Sequence, residues 1–512
     1  MTRRAEPLPV PADDQGLRAL LHELYGLERR VVEMDLGATR RTLDALGAPE
    51  RAFAAVQIGG TNGKGSVSAM VAAGIAAGGA HPRVGLFTSP HLVDWRERVQ
   101  IGGRGAAGGG FAPVDEAAAL AAVRAALEAG RAAEARLSFF EVTTAAALVA
   151  FAHARVDVAV LEVGLGGRLD ATTAVDPVVA AVVTVDRDHT EVLGETYAEI
   201  AREKAGIAKP GGVLISGVTG ASAGTGTRAQ GAGRASTQAE AARDPAETPV
   251  AREPAEARAA LREEVARRGA RLSELGADFR YEAAADGTVA YCGPRWRLDG
   301  LRVAMRGAHQ RHNAAVALRV LEELAAARPA LGLEDARAGI AAAACGAVWP
   351  GRFEVLERTG TAGGRAAATV VLDAAHNQAG AAAFAAALRQ ELGGRPVHLV
   401  YGAMGDKDAR AMLRALVPLA AEATFVRAPG RRAADPAALR RLAAAIRKDL
   451  PARSAGDAPP AGVVLAALEG LPPGGVLAVT GSIYLLGAVR AALRDALGLP
   501  PEPALPQPAA RP

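Results

Sequence analysis

The run Gly60-Thr61-Asn62-Gly63-Lys64-Gly65-Ser66 puts the means of holding a polyphosphate into one short loop. Glycines let successive backbone amides turn toward phosphate oxygens, and a lysine ammonium can reach the terminal phosphates. A hydroxyl at the start of the following helix can bind magnesium. The strict phosphate-loop pattern sets that hydroxyl directly after the lysine, whereas here Gly65 intervenes. The plain alternative is a Gly/Asn-rich turn with an exposed lysine. It is disfavoured because the apolar stretch AAVQI precedes the loop and a small-residue helical run follows it. Nucleotide binding follows from the loop. The reaction does not, since kinases, GTPases, transport ATPases and ligases all use such loops.

The elements that must carry this loop are legible as continuous apolar runs at 156–163 (VDVAVLEV), 178–185 and 213–216. Runs without alternation suit parallel strands buried on both faces, and the helical stretches between them predict an α/β unit with a mainly parallel sheet. From about 349–350 strands and helices alternate again: strands at 369–374, 397–403, 423–426 and 476–480, with helices starting near 379, 407, 436 and 483. Repeated βα units of this length predict a second, Rossmann-like parallel sheet. The expected organisation is an ATP-binding unit over 1–346, a Rossmann-like unit over 347–496 and an unstructured Pro-rich tail over 497–512. Residues 218–254, rich in Gly, Ala, Ser and Thr, read as an unstructured surface insertion. Residues 1–14 and 102–110 read as further unstructured stretches.

Composition narrows the class. Lysine and arginine exceed aspartate and glutamate by 59 − 55 = 4, with no basic stripe interleaved with aromatics, which argues against nucleic acid. Two cysteines, Cys292 and Cys345, exclude a disulfide framework and suit a reducing compartment. No apolar run is long enough to cross a bilayer, and the N-terminus lacks the apolar core of a signal peptide. A cytoplasmic protein is expected.

GTNGKGS, the form with the extra glycine, resembles the Mur ligase superfamily, and further motifs resemble its folylpolyglutamate synthase/dihydrofolate synthase branch. These are DLGATRR from Asp35, TSPHL from Thr88, SFFEVTTAAAL from Ser138, LEVGLGGRLDAT from Leu161 and DHTEVLGETYAEIAREKAGI from Asp188. HQRHNAAVA from His309, WPGRFE from Trp349, LDAAHN from Leu372, GAMGDKD from Gly402 and TGSIYL from Thr480 complete the set. The resemblance implies a phosphate-loop domain followed by a Rossmann-like domain, with the site between them. There ATP would phosphorylate a pterin or folate carboxylate and the amine of L-glutamate would attack the acyl phosphate. ATP, L-glutamate and dihydropteroate or a reduced folate are the implied small-molecule partners, and a monomer is expected.

By the same resemblance Ser89, Glu162 and His189 are the expected magnesium ligands, at two sites. Thr61, Asn62, Gly63, Lys64, Gly65, Ser66, Asn313, Arg352 and Asp373 are expected to contact ATP. Lys64, Lys204 and His376 are the catalytic candidates, with Lys204 expected as a carbamate: its amine would have captured carbon dioxide and become an oxygen ligand. The pterin side would involve Asp35, Leu36, Gly37, Ala38, Ser138, Phe139, Phe140, Glu141, Leu169, Asp170 and Ala171. Two departures stand out. Ala38 replaces the leucine usual in members acting on dihydropteroate, and Ala374 replaces a glycine, removing backbone freedom at that turn. Two alternatives stay open on sequence: another Mur-type amino-acid ligase acting on a nucleotide-linked muramyl substrate, and a phosphate-loop NTPase that switches conformation without ligating anything.

Overall fold

The structure, a computed structural model, describes residues 20, 23–27, 35–105, 110–219, 249–358 and 367–499. The expected unstructured stretch 1–14, most of the insertion and most of the tail lie outside these residues, as do positions 106–109 of the glycine-rich run.

The N-terminal part is built on an eight-stranded sheet. In chain order its strands are β1 (Ala54–Gly59), β2 (Arg83–Phe87), β3 (Val99–Gly103), β4 (Ala112–Pro113), β5 (Val158–Glu162), β6 (Val179–Val182), β7 (Val213–Ser216) and β8 (Arg271–Glu274). They lie in the order β4-β3-β2-β5-β1-β6-β7-β8. The pairs from β2 to β8 are parallel, and β3 and β4 join one edge antiparallel. Every residue of β5 and β6 is buried, which is why their sequences run apolar without alternation. One face is covered by helix Lys64–Ala76 with helices Ala308–Ala327 and Arg337–Cys345, the other by Glu116–Ala132 and Phe139–Ala154. Helix Lys64–Ala76 is buried along its length from Gly65 to Ile75, so only small and apolar residues fit there. Gly74 shows the tightness: a Cβ on it would lie 2.6 Å from Leu321.

A small antiparallel sheet of β9 (Arg280–Ala283), β10 (Val289–Cys292) and β11 (Arg297–Leu301) follows. It had no counterpart in the sequence reading. The buried Glu322 ties it to helix Ala308–Ala327 by accepting hydrogen bonds from the Tyr291 hydroxyl at 2.7 Å and the Trp296 amide at 2.6 Å.

The C-terminal sheet has six strands: β12 (Glu354–Arg358), β13 (Ala368–Asp373), β14 (Val397–Tyr401), β15 (Ala420–Phe425), β16 (Ala452–Ser454) and β17 (Val476–Thr480), in the order β12-β13-β17-β14-β15-β16. All pairs are parallel except β12–β13. Each strand expected from sequence here is present within a few residues. The edge strands β12 and β16 and helix Pro460–Glu469 are additions.

Three boundaries need correction. Gly102 and Gly103, expected in an unstructured stretch, end strand β3 and pair with Val84 and Arg83 of β2. Helix Pro249–Arg267 starts inside the stretch 218–254, because Ala257, Leu261 and Val265 place an apolar stripe against helix Tyr197–Ala205. Val218, at the other end of that stretch, is buried in the same cluster. Similarly, Leu497 belongs to the core beneath the last helix rather than to the tail, and Leu499 packs on it.

Candidate active site

The phosphate loop joins the C-terminal end of β1 to helix Lys64–Ala76, the crevice position where ligands bind in parallel sheets. Gly63 caps the helix at φ +83°, a conformation that favours glycine. A Cβ there would also lie 2.6 Å from Asn313 Oδ1, so the loop and the buried Asn313 side chain touch directly. Gly65 has a comparable reason to stand between Lys64 and Ser66. Its missing Cβ would lie 3.2 Å from Trp349 Nε1 and 3.6 Å from Glu162 Oε2. The extra glycine is therefore where the WPGRFE segment meets the loop.

Lys64 Nζ donates to the Gly60 and Thr61 carbonyls at 3.0 and 3.2 Å, folded over the loop it would serve. Burial lowers its pKa, against the attraction of Glu162 and Asp188. The loop is further tied to the segment after β6. Thr61 Oγ1 donates to the Asp186 carbonyl at 3.1 Å and Asn62 Nδ2 to Asp186 Oδ2 at 2.9 Å. Asp186 is pushed up by burial. Ser66 Oγ is buried with no hydrogen-bond partner, an orphaned hydroxyl at the helix start.

Glu162 ends β5. Its Oε2 accepts the Ser89 amide at 3.1 Å, and burial raises its pKa against the pull of Lys64 and Arg352. Ser89 and Glu162 thus come together, in a narrow cleft lined also by Trp349 and Arg352 from the C-terminal part. A buried carboxylate with an unpartnered hydroxyl nearby in the loop is a donor set that suits a hard cation. Among the described residues no three His, Cys, Asp or Glu side chains form a metal-holding group. Magnesium, which keeps waters and takes phosphate oxygens, does not need one. His189 stands in a different group: its Nε2 lies 3.5 Å from Lys407 Nζ, and burial lowers its pKa. A neutral imidazole facing a cation offers the lone pair that a metal would use.

That group converges on Asp188, which takes Lys407 Nζ at 2.5 Å on Oδ1 and Asn377 Nδ2 at 3.0 Å on Oδ2. Burial alone would raise its pKa, but hydrogen bonds from His376, Asn377 and Lys407 hold the carboxylate well below its usual range. His376 directs Nδ1 to the Ala374 carbonyl at 2.9 Å and Nε2 to Asp188 Oδ2 at 3.6 Å. A carbonyl only accepts, so Nδ1 carries a proton. Asp188, Asn377 and Lys407 lie in the quoted motifs DHTEVL, LDAAHN and GAMGDKD, but no role was expected of them. Ala374 sits outside the positive-φ region, so the departure from glycine leaves this turn unstrained.

Lys204 is 3% exposed, and its ammonium has no hydrogen bond or ion pair among the described residues. Burial, with Lys64 adding repulsion, lowers its pKa to about 7. Asp373, at the end of β13, accepts the Phe353 and Ala375 amides at 2.8 and 2.9 Å. Burial raises it to about 6 despite Arg352.

The pterin-side candidates divide. Ser138 and Glu141 form a capping box for helix Phe139–Ala154, and the other Glu141 oxygen accepts Thr39 Oγ1 at 3.1 Å. Asp35 caps helix Leu36–Ala45 through the Gly37 amide, which places Leu36 and Ala38 at that helix start. Asp170 Oδ2 accepts the Gly164 and Leu165 amides at 2.9 and 3.0 Å, and Oδ1 takes the Thr172 amide and hydroxyl. These acids organise loops and helix ends, and Ala171 is buried beside them. Phe139 is core, stacked on Tyr25 at 5.7 Å between ring centroids. Phe140 is half-buried against Phe87 and under Gly164, where a Cβ would lie 2.5 Å from its ring. Leu169 is half-buried in the same loop.

The two parts also meet at the edge of the cleft, which Leu92 lines. Leu92 packs against the C-terminal core, and a Cβ on Gly487 would lie 2.0 Å from the Leu92 carbonyl oxygen. Backbone cannot yield as a flexible side chain can. A Gly487→Ala variant is expected to pry the parts apart at this edge, lowering turnover roughly tenfold, about 1.4 kcal/mol in the barrier. The check is kcat against thermal unfolding of each separate transition. Unchanged kcat would show that closure does not depend on this contact.

Residues 351–483 match the Mur ligase, glutamate ligase domain. A probable bifunctional folylpolyglutamate synthase/dihydropteroate synthase of Haloferax volcanii is 38% identical over 468 residues, 91% of this chain and 49% of that protein. This chain therefore spans about half the length of that relative. The dihydrofolate synthase/folylpolyglutamate synthase of Mycobacterium tuberculosis is 34% identical over 427 residues, 80% of this chain and 78% of that one. Among solved structures, E. coli FolC in complex with DHPP and ADP matches with a TM-score of 0.74 at 26% identity, covering 95% of this chain and 99% of that one. The Yersinia pestis bifunctional synthase complexed with AMPPNP and Mn ion gives 0.72 at 27%, covering 95% and 100%. The two parallel-rich sheets have the Mur ligase architecture, and the chain belongs to the folylpolyglutamate synthase/dihydrofolate synthase family.

Proposed function

We propose that this chain is an ATP-dependent ligase that joins L-glutamate to dihydropteroate and to reduced folates, giving dihydrofolate and folylpolyglutamates. Residues 1–346 serve as the ATP-binding unit and 347–496 as the ligase unit of a cytoplasmic monomer. The observation that carries the reading is the cleft in which Ser89 and Glu162 of one part face Trp349 and Arg352 of the other, with Glu162 and Arg352 both acting on the charge of Lys64. A phosphate loop that only switched would leave Arg352 without a task.

In the reaction a substrate carboxylate oxygen attacks the terminal phosphorus and ADP leaves. The glutamate amine then attacks the acyl carbon, phosphate departs, and the nitrogen loses a proton. Two anions must approach first, so positive charge has to be fixed in place beforehand. Lys64 supplies it from the loop and Arg352 from the opposite wall, where its planar fork suits phosphate oxygens. Asn313, which lies against Gly63, is assigned the adenine edge, where its amide can both donate and accept, and Asp373 a ribose hydroxyl. Glu162 and Ser89, and separately His189, would hold divalent cations at two sites, adding charge neutralisation on the phosphates. The ADP and Mn-bearing relatives support ATP and a divalent metal as ligands. His376, ordered by Ala374 and Asp188, is placed to orient or move a proton near the transferred groups. Phe140 and Leu169 offer the apolar surface for a pterin, positioned by Asp170 and Glu141.

Lys204 fits the carbamate reading. A buried lysine with no partner and a pKa near neutrality has a neutral amine available to attack carbon dioxide. The product, after loss of one proton, is an anion among the nearby cations.

The test is product mass after incubation with ATP, glutamate and each pterin in turn. Glutamate-dependent ADP release with mass gain on both dihydropteroate and a reduced folate is expected. Mass gain on folates alone would remove the dihydrofolate synthase half. Gain only on a UDP-linked muramyl substrate would replace the reading with another Mur-type ligase. ADP release independent of both acceptors would favour a conformational NTPase.

A further inference from the structure

Asp188 does more than neighbour the metal-ligand candidate that follows it. Its two oxygens hold two side chains from separate loops of the C-terminal part: Lys407 from the segment after β14 at 2.5 Å, and Asn377 from the turn after β13 at 3.0 Å. Asn377 is itself fully committed. Its Oδ1 caps helix Gln378–Leu392 through the Gly380 amide at 2.8 Å, and its Nδ2 also donates to Asn62 Oδ1 of the phosphate loop at 3.0 Å. Asn62 in turn is fixed by Asp186. One carboxylate, 8% exposed, therefore connects the nucleotide loop to two C-terminal loops in a circuit of hydrogen bonds that the 186–188 backbone closes.

Building on the ligase reading, we infer that Asp188 is a positioning residue that locks the C-terminal loops carrying His376 and Lys407 onto the phosphate loop for ligation. The geometry explains why an acid is needed: Lys407 and Asn377 use different oxygens, and an asparagine would turn an NH2 donor toward one of these donors and offer no charge for the ammonium. It also separates two roles. By side-chain hydrogen bonds Asp188 reaches the phosphate loop only through Asn377, and its charge acts on Lys64 from a distance, so its loss loosens the C-terminal loops before it disturbs nucleotide binding. Residues in one hydrogen-bonded circuit should also be coupled energetically.

The experiment compares Asp188→Asn, Lys407→Gln and the double variant. For Asp188→Asn we expect kcat to fall about thirtyfold, with the dissociation constant for AMPPNP moving less than threefold. We expect the double variant to lose no more than the worse single variant. Amide exchange across 402–408 should quicken in Asp188→Asn while the β5 strand stays protected, which also shows that the variant is folded. Parent-like exchange in 402–408, or losses that simply multiply in the double variant, would overturn the assignment. The exchange measurement needs no turnover. It therefore fails independently of the ligase reading, whose own failure shows as absent glutamate-dependent ADP release in the parent.

Discussion

Replacing Lys204 with alanine should give a folded protein whose turnover is about a hundredfold lower and is partly restored by acetate or formate. The magnitude is that of removing one group that acts on transition-state charge. The rescue follows from the carbamate reading, because a small carboxylate can occupy the space left by the side chain and supply the same oxygens. Protonated lysine predicts the opposite, since an added anion could not replace a cation. The pH dependence has a definite sign. The folded pKa is lowered to about 7, so the neutral amine, and with it carbamate formation, prevails above that value and declines below it. Activity at pH 6 should therefore depend on added bicarbonate more strongly than activity at pH 8. Stability carries the same signature. A buried ammonium penalises the fold fully below about pH 7, and the penalty is relieved as pH rises from there toward 10.5, because the unfolded chain then binds the extra proton. In bicarbonate-free buffer Lys204→Met should stabilise the protein at pH 6 more than at pH 9 in denaturant titrations. Full activity of Lys204→Ala under bicarbonate-free conditions would end the carbamate reading.

Lys64→Met should lower kcat about a thousandfold, the upper end for losing one preorganised electrostatic group. Lys64 is the only lysine in the loop, and its ammonium already rests on the loop's own carbonyls at 3.0 and 3.2 Å. It therefore needs little reorganisation to meet a phosphate. Burial lowers its pKa, and the nearby Glu162 and Asp188 carboxylates oppose that shift. Lys64→Arg is expected to recover little, because a planar fork does not fit the point-charge position between two glycines. Single-turnover formation of ADP separates this from a binding defect. A variant with reduced affinity for AMPPNP but parent-like single turnover would show that Lys64 binds the nucleotide without assisting transfer.

Local structure was legible because local forces fix it. Strand β1, the turning loop and helix Lys64–Ala76 follow from neighbouring residues, and so do the βα units of the C-terminal sheet. Edge strands β12 and β16 and the small sheet β9–β11 were not legible. Their residues are partly exposed and their pairing partners are set by packing elsewhere.

By itself the sequence determined the anion-binding loop, the two parallel-rich units and a set of motif residues pointing toward one chemistry. What those residues touch follows from packing between distant segments. Phe139 and Phe140 are adjacent in sequence, yet one is core and the other reaches the Gly164 turn, because neighbours on a helix point about 100° apart. Ser138 and Glu141 are engaged by a helix cap, and Asp170 by four bonds within its own loop. Asp188, Asn377 and Lys407 meet across sequence separations of 189 and 219 residues. No periodicity or spacing encodes that meeting, since it exists only when two separate sheets bring their C-terminal strand ends to the same cleft.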